Sequence, residues 1–181
     1  MLYGENINFD IYKLTNEHLS LAEDFKCGND EIDKYLKTKA LEDLECGNSF
    51  TRIIIDKDNS ELIGYYSINC SSIVMENSNH KYFSPAIEIK MFALCEKYQG
   101  IKLSNFDDED DMLFSDHILC EIIYKIVEIT EKYISATSII LYSVPNAVSF
   151  YKRNGFELFE EYMVTSNELY LKDCIPMWFQ L

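Results

Sequence analysis

The sequence predicts a mixed α/β domain built around one central sheet, and three observations carry that expectation. Runs rich in β-branched and aromatic residues alternate with segments of helical period. Their order reads strand, two helices, three strands, helix, strand, helix, two strands. Hydrophobic residues make up 48% of the 181, ample material for one packed core in a domain of ordinary length. The expected organisation is a single domain over residues 1–181, with a mixed, mostly antiparallel sheet flanked by helices.

Each element has a local reason. Phe9 to Leu14 alternates as a strand, and Thr15 can cap a helix from Asn16 to about Asp24, with Glu17 in its positive first turn. Cys27-Gly28-Asn29 reads as a turn. Asn29 or Asp30 then caps a helix from Glu31 to about Cys46, where Ile32, Tyr35, Leu36, Ala40 and Leu44 form a one-faced stripe ended by Gly47-Asn48. Phe50–Asp56 and Leu62–Val74 flank the turn chemistry of Asp58-Asn59-Ser60 and read as an antiparallel hairpin. Asn77 to His80 is loop-like, and Pro85 opens a strand over Ala86–Cys95.

Ser115 or Asp116 begins a strong helix to about Tyr133, with Ile118, Leu119, Ile122, Ile123, Ile126 and Ile129 as its stripe. Ser138–Val144 is a β-branched strand. Pro145 starts a short helix to Arg153, and Asn154-Gly155 is a left-handed stop. Phe156–Val164 and Ile175–Gln180 are the closing strands.

The formal charge of −15 makes most of the surface repel phosphate polymers, which disfavours nucleic acid unless a local basic groove exists. A basic protein or a polyamine would be attracted, or the charge serves solubility alone. Cys27, Cys46, Cys70, Cys95, Cys120 and Cys174 are scattered. They read as small apolar residues of a reducing cytoplasm rather than a disulfide framework. His18, His80 and His117 lack zinc-ligand spacing, and Asp107–Asp111 lacks the glycine and the closing glutamate of a calcium loop, so no metal is expected. No apolar run reaches the roughly 18 residues of a membrane span, and Met1–Asp10 does not read as a signal peptide.

Asn146-Ala147, Phe150-Tyr151 and Gly155-Phe156 follow a strand, and with that spacing they resemble the late strand–helix–strand motif of the GNAT superfamily of N-acetyltransferases. Phe25, Cys27-Gly28, Ile32-Asp33, Leu36, Ala40, Gly47 and Thr51 are similar to the branch that contains tRNA-acetylating toxins, and Pro85 to Gly100 continues the match. The resemblance implies the GNAT fold, acetyl-CoA as cofactor, and a strand that splays to admit the pantetheine arm. It implies that backbone groups of Phe92 and Leu94 face the acetyl and pantetheine, with Asn146 and Phe150 lining the cofactor. Tyr151 would protonate the departing thiolate, a task that suits a phenol whose pKa lies above that of a thiol.

The superfamily holds the CoA pyrophosphate on a Q/R-x-x-G-x-G/A loop at a helix N-terminus, where glycines let free amides close on phosphate. Here Tyr98-Gln99-Gly100 starts that loop, but Lys102 and Ser104 stand where glycines belong. About six extra residues precede the helix, among them the acids Asp107 to Asp111. Two readings stay open. Either Gln99, Gly100 and Lys102 still hold phosphate while the acids loop away, or CoA binding is weakened.

The function expected is N-acetyl transfer to an amine of a small molecule, polyamine or basic protein, by direct attack on the thioester. Glu88 and Glu96 are candidate bases through water. The alternative is a non-catalytic protein-binding module of the same fold. Whether two copies form a homodimer is left open by the sequence.

Overall fold

The computed structural model describes residues 3–4, 7–77, 80–103, 112–159 and 173–181. They group into two compact units: Met1–Ser67 with Met91–Leu119, and Ile68–Lys90 with Cys120–Leu181. The expected acidic run Asp107–Asp111 and the far end of the strand expected over Phe156–Val164 lie outside the described residues.

The strands are β1 (Tyr3–Gly4), β2 (Phe9–Lys13), β3 (Phe50–Asp56), β4 (Glu61–Asn77), β5 (His80–Leu94), β6 (Lys102–Leu103), β7 (Ser138–Ser143), β8 (Glu157–Leu158) and β9 (Ile175–Gln180). The helices are α1 (Leu19–Glu23), α2 (Asp30–Thr38), α3 (Ala40–Glu45), α4 (Phe114–Lys132) and α5 (Val148–Arg153). Seven strands form one sheet in the order β2-β3-β4-β5-β7-β9-β8. It is mixed and mostly antiparallel, as expected: β2 meets β3 antiparallel from Phe9↔Asp56 to Lys13↔Arg52, and β7 meets β9 antiparallel from Ser138↔Gln180 to Ser143↔Ile175. Strand β5 meets β7 in parallel, in register from Ala86↔Ser138 to Ile89↔Leu141.

In the first unit, the stripes of α2 and of the start of α4 bury Leu36, Phe114, Ile118 and Leu119, while β3 and β4 bury Ile53, Ile54 and Ile63. Tyr65 sits in this core edge-on to Phe25 at 5.6 Å, and its hydroxyl donates to the Ile32 carbonyl at 2.7 Å. The hydroxyl thus finds the partner a buried phenol needs. In the second unit, Ile122, Ile126, Ile139, Leu141, Phe156 and Met177 are buried, and Ile73, Ala86 and Ile140 pack with Phe159 and Trp178.

Three expectations are corrected. The helix expected over Glu31–Cys46 is two helices that break at Lys39 (φ −124°). The Thr38 hydroxyl donates back to the Lys34 carbonyl at 2.8 Å, an interaction that bends helices. The Tyr35 hydroxyl reaches Asp43 at 2.9 Å and lies 3.0 Å from Ser49, which draws α3 out of line. The strand expected to open after Pro85 begins at His80, with Pro85 inside it. The ladder to β7 starts only at Ala86, so the missing N–H costs that ladder nothing. The Pro85 carbonyl takes the Thr137 amide at 2.9 Å. The helix expected from Asn16 opens as a 3-10 turn over Asn16–His18, where the Thr15 amide donates to His18 Nδ1 at 3.1 Å.

The six cysteines are free thiols. Cys46, Cys70 and Cys120 are exposed and the others half-buried.

Candidate active site

The strand–helix–strand phrase folds as its residues dictate. Val144 is extended, Pro145 stands at the start of a 3-10 turn over Pro145–Ala147, and α5 follows directly. Asn146 is exposed on that 3-10 turn. Helix α5 ends where Asn154 donates to the Phe150 carbonyl through its side chain at 2.9 Å, and where the Phe156 amide returns to the Tyr151 carbonyl at 3.0 Å. Gly155 holds φ +86°, the left-handed geometry that glycine adopts without strain.

This turn sets Phe156 edge-on to the Tyr151 ring at 5.6 Å, and Phe150 meets the same ring edge-on at 5.0 Å. The Arg153 guanidinium stands over the half-buried Phe150 ring at 5.3 Å. Tyr151 is 8% exposed. Burial pushes its phenol well above the usual range, and the nearby Cys174 thiol adds to that. The group stays protonated at any physiological pH, the state required of a proton donor.

The second group of candidate residues lies in the first unit, at the end of β5. Phe92 is half-buried and Leu94 buried. Strand β4 comes close here: a Cβ built on Gly64 would stand 2.4 Å from the Ala93 carbonyl oxygen and 2.6 Å from Leu94 Cδ2. The Cys95 amide closes the pairing by donating to Ile63 O at 2.8 Å.

Gln99 is placed differently from the expectation that it faces phosphate. Its side-chain amide donates to the Leu94 carbonyl at 2.8 Å and to the Cys27 carbonyl at 2.9 Å. The Glu96 amide donates to Lys26 O at 2.9 Å. These bonds latch the Cys27-Gly28 turn onto the end of β5. The turn is fixed from its other side as well, because the Cys27 amide donates to Asp33 Oδ1 at 2.9 Å. Burial and the Asp33 carboxylate push the Cys27 thiol up to about 12, so it is no nucleophile.

Gly100 adopts φ +68° with open space around it. Lys102 is half-buried in β6, which pairs parallel with β1. Two backbone bonds join this region to the start of α4: the Leu103 amide donates to Met112 O at 3.0 Å, and the Phe114 amide to Ile101 O at 2.8 Å. Helix α4 therefore begins with one of its first amides already occupied. The Asp116 carboxylate also lies in its first turn, accepting from the Leu113 amide at 3.0 Å. Both features take donors and positive potential away from a phosphate there.

Sequence reasoning missed an open cleft of about 420 Å³ on the first unit, lined by Lys26, Asp30, Asp33, Lys34, Lys37 and Glu96. The signal was partly present, since positions 30, 34 and 37 fall on one face of α2. Glu96 arrives there only through the latch. Among the described residues no helix is long and apolar enough to cross a membrane.

No family model matches the chain, and no curated protein matches its sequence. Solved structures do. A crystal structure of a bacterial toxin superposes with TM-score 0.70 at 20% identity, over 96% of this chain and 90% of that one. A tyrosine-to-phenylalanine mutant of the AtaT toxin, bound to the C-terminus of the antitoxin AtaR and acetyl-CoA, gives 0.67 at 16% over 96% and 93%. AtaT complexed with acetyl-methionyl-tRNAfMet gives 0.69 at 14% over 96% and 95%. The likeness extends over nearly the whole chain and is one of fold: the chain has the GNAT fold expected from its sequence.

Proposed function

We propose that the chain is an acetyl-CoA-dependent N-acetyltransferase acting on an amine of a small molecule, polyamine or basic protein. The observation that carries this reading is Tyr151. It stands inside the expected motif as a buried phenol, framed by Phe150 and Phe156 and kept protonated by its surroundings. A side chain held only for packing would be filled as well by phenylalanine. The AtaT structure with acetyl-CoA supports the choice of cofactor, and its antitoxin segment supports a protein partner.

In the proposed reaction the neutral amine attacks the thioester carbonyl carbon. A C–N bond forms, the C–S bond breaks, and the amine loses a proton to water. The CoA thiolate takes the Tyr151 proton, which solvent replaces. Backbone groups of Phe92 and Leu94 hold the acetyl and pantetheine, and Asn146 and Phe150 line the cofactor. Gly100 and Lys102 serve its phosphates, Lys102 as a point charge. Gln99 supports this binding through the latch on the Leu94 carbonyl rather than by touching phosphate.

A second reading has its own observation. The occupied first amide of α4 and the Asp116 carboxylate there favour a protein-binding module with impaired CoA binding. Titration of the purified chain with acetyl-CoA by calorimetry separates the two. Micromolar affinity, about −8 kcal/mol, supports the transferase, and turnover with a panel of amines follows. No heat and no thermal shift at millimolar acetyl-CoA would sink the transferase and leave the binding module.

A further inference from the structure

The cleft on the first unit gathers charges of both signs. Several described lysines elsewhere find carboxylates: Lys57 with Asp10, Lys97 with Glu61, and Lys125 and Lys132 with Glu128. Acids outnumber bases by 31 to 16, so a lysine has no shortage of partners. Yet Lys26, Lys34 and Lys37 line a single cleft with Asp30, Asp33 and Glu96, and among the described residues none of the three ammonium groups pairs with a carboxylate.

The reason is geometric. Lys34 and Lys37 project from one face of α2, while Lys26 and Glu96 are fixed by their own backbone bond and by the Gln99 latch. Asp33, 8% exposed, is engaged with the Cys27 amide. Charges of both signs are thus presented to the same space without neutralising each other.

We propose that this cleft binds an ampholyte, a primary amine that also carries a carboxylate or phosphate, and that this is the acyl acceptor. The acceptor role rests on the transferase reading above; the binding does not. The three lysines take the anion. Asp30 and Glu96 take the ammonium, and Glu96 accepts its proton through water before the amine attacks the thioester as described. Glu96 stands two residues beyond Leu94, whose carbonyl is clamped to the same turn that floors the cleft. A polyamine meets three like charges here, and a simple anion meets three carboxylates. An ampholyte satisfies both sets at once.

The test is calorimetric titration of the full chain, without acetyl-CoA, with phosphoethanolamine, β-alanine, inorganic phosphate, acetate and ethanolamine. We expect at least one of the two ampholytes to bind tenfold or more tightly than ethanolamine and than its matching anion, phosphate or acetate. Which of the two binds more tightly identifies the anion. The double variant Lys34→Ala/Lys37→Ala should lose that preference, and Glu96→Gln should weaken the ampholyte while sparing its matching anion. Should the double variant fail to fold, Lys37→Gln alone carries the same expectation. The proposal is overturned if neither ampholyte exceeds its separate halves, or if the lysine variants bind as the parent does. Acetyl-CoA is absent from this experiment, so such a failure would leave the transferase reading to stand or fall on the cofactor titration alone.

Discussion

Gln99 holds Leu94 by its carbonyl, through a side-chain amide that also grips Cys27 on the far side of a turn. One residue thereby satisfies two backbone acceptors and fixes the end of β5 that the acetyl group is proposed to face. Gln99→Ala should cost about 1 kcal/mol in chemical denaturation, the ordinary net worth of such bonds. Gln99→Glu should cost more at neutral pH, because an ionised carboxylate would oppose two carbonyl oxygens. Part of that loss should return as the pH falls toward about 4, where a carboxyl regains a proton. A Glu variant as stable as the Ala variant at pH 7 would contradict the geometry.

Gly64 is held to a different constraint. Its φ is ordinary, but a methyl group would meet the Ala93 carbonyl oxygen at 2.4 Å, and a backbone atom in a paired strand cannot swing aside. Gly64→Ala is expected to lower stability by about 1–3 kcal/mol, in the range of overpacked cores. Gly47→Ala is a useful contrast, with nothing within 4 Å and only the left-handed backbone to oppose it. Thermal unfolding of the pair distinguishes crowding from backbone strain.

The pH dependence of stability should carry the signature of Asp56. Burial pushes its carboxyl up. Hydrogen bonds from the Asn59 side chain and amide, the Asp58 amide and the Tyr98 hydroxyl outweigh this and hold it below the usual range. A carboxyl depressed in the folded state stabilises fully above its unfolded value, about pH 4, and loses that contribution as pH falls through the folded value. Tyr98→Phe removes one donor, at 3.0 Å, so acid unfolding should begin at higher pH than in the parent. A denaturation midpoint followed from pH 7 to pH 2 measures the shift, and coincident curves would refute it.

Tyr151→Phe isolates the proposed proton donor. The ring contacts with Phe150 and Phe156 survive the change, so stability should move by less than about 1 kcal/mol and acetyl-CoA affinity should be unaltered. Acetyl transfer should fall about 10²–10⁴-fold, the usual contribution of general acid catalysis. Stopped-time assays of CoA thiol release measure it. Undiminished release in the variant would remove Tyr151 from the chemistry.

Much of this was legible in the sequence because hydrophobic period reports which face is buried. The stripe of α4, the β-branched run of β7 and the Asn154-Gly155 stop all stand where the pattern put them. The misplaced elements share a cause, since each is decided by a partner distant in sequence. Lys39 breaks a helix that has a continuous stripe because Tyr35 bonds to Asp43 and Ser49. β5 runs through Pro85 because its pairing with β7 begins one residue later. For the candidate site, the spacing from Asn146 to Gly155 fixed the position of Tyr151. Nothing local reveals that Gln99 turns its amide to Cys27, or that Glu96 lines one cleft with three lysines.

The bonds from the Leu103 amide to Met112 O and from the Phe114 amide to Ile101 O tie β6 to the first turn of α4 as one cooperative unit. Local opening that frees one should free the other, so these two amide hydrogens should exchange with solvent at matching rates.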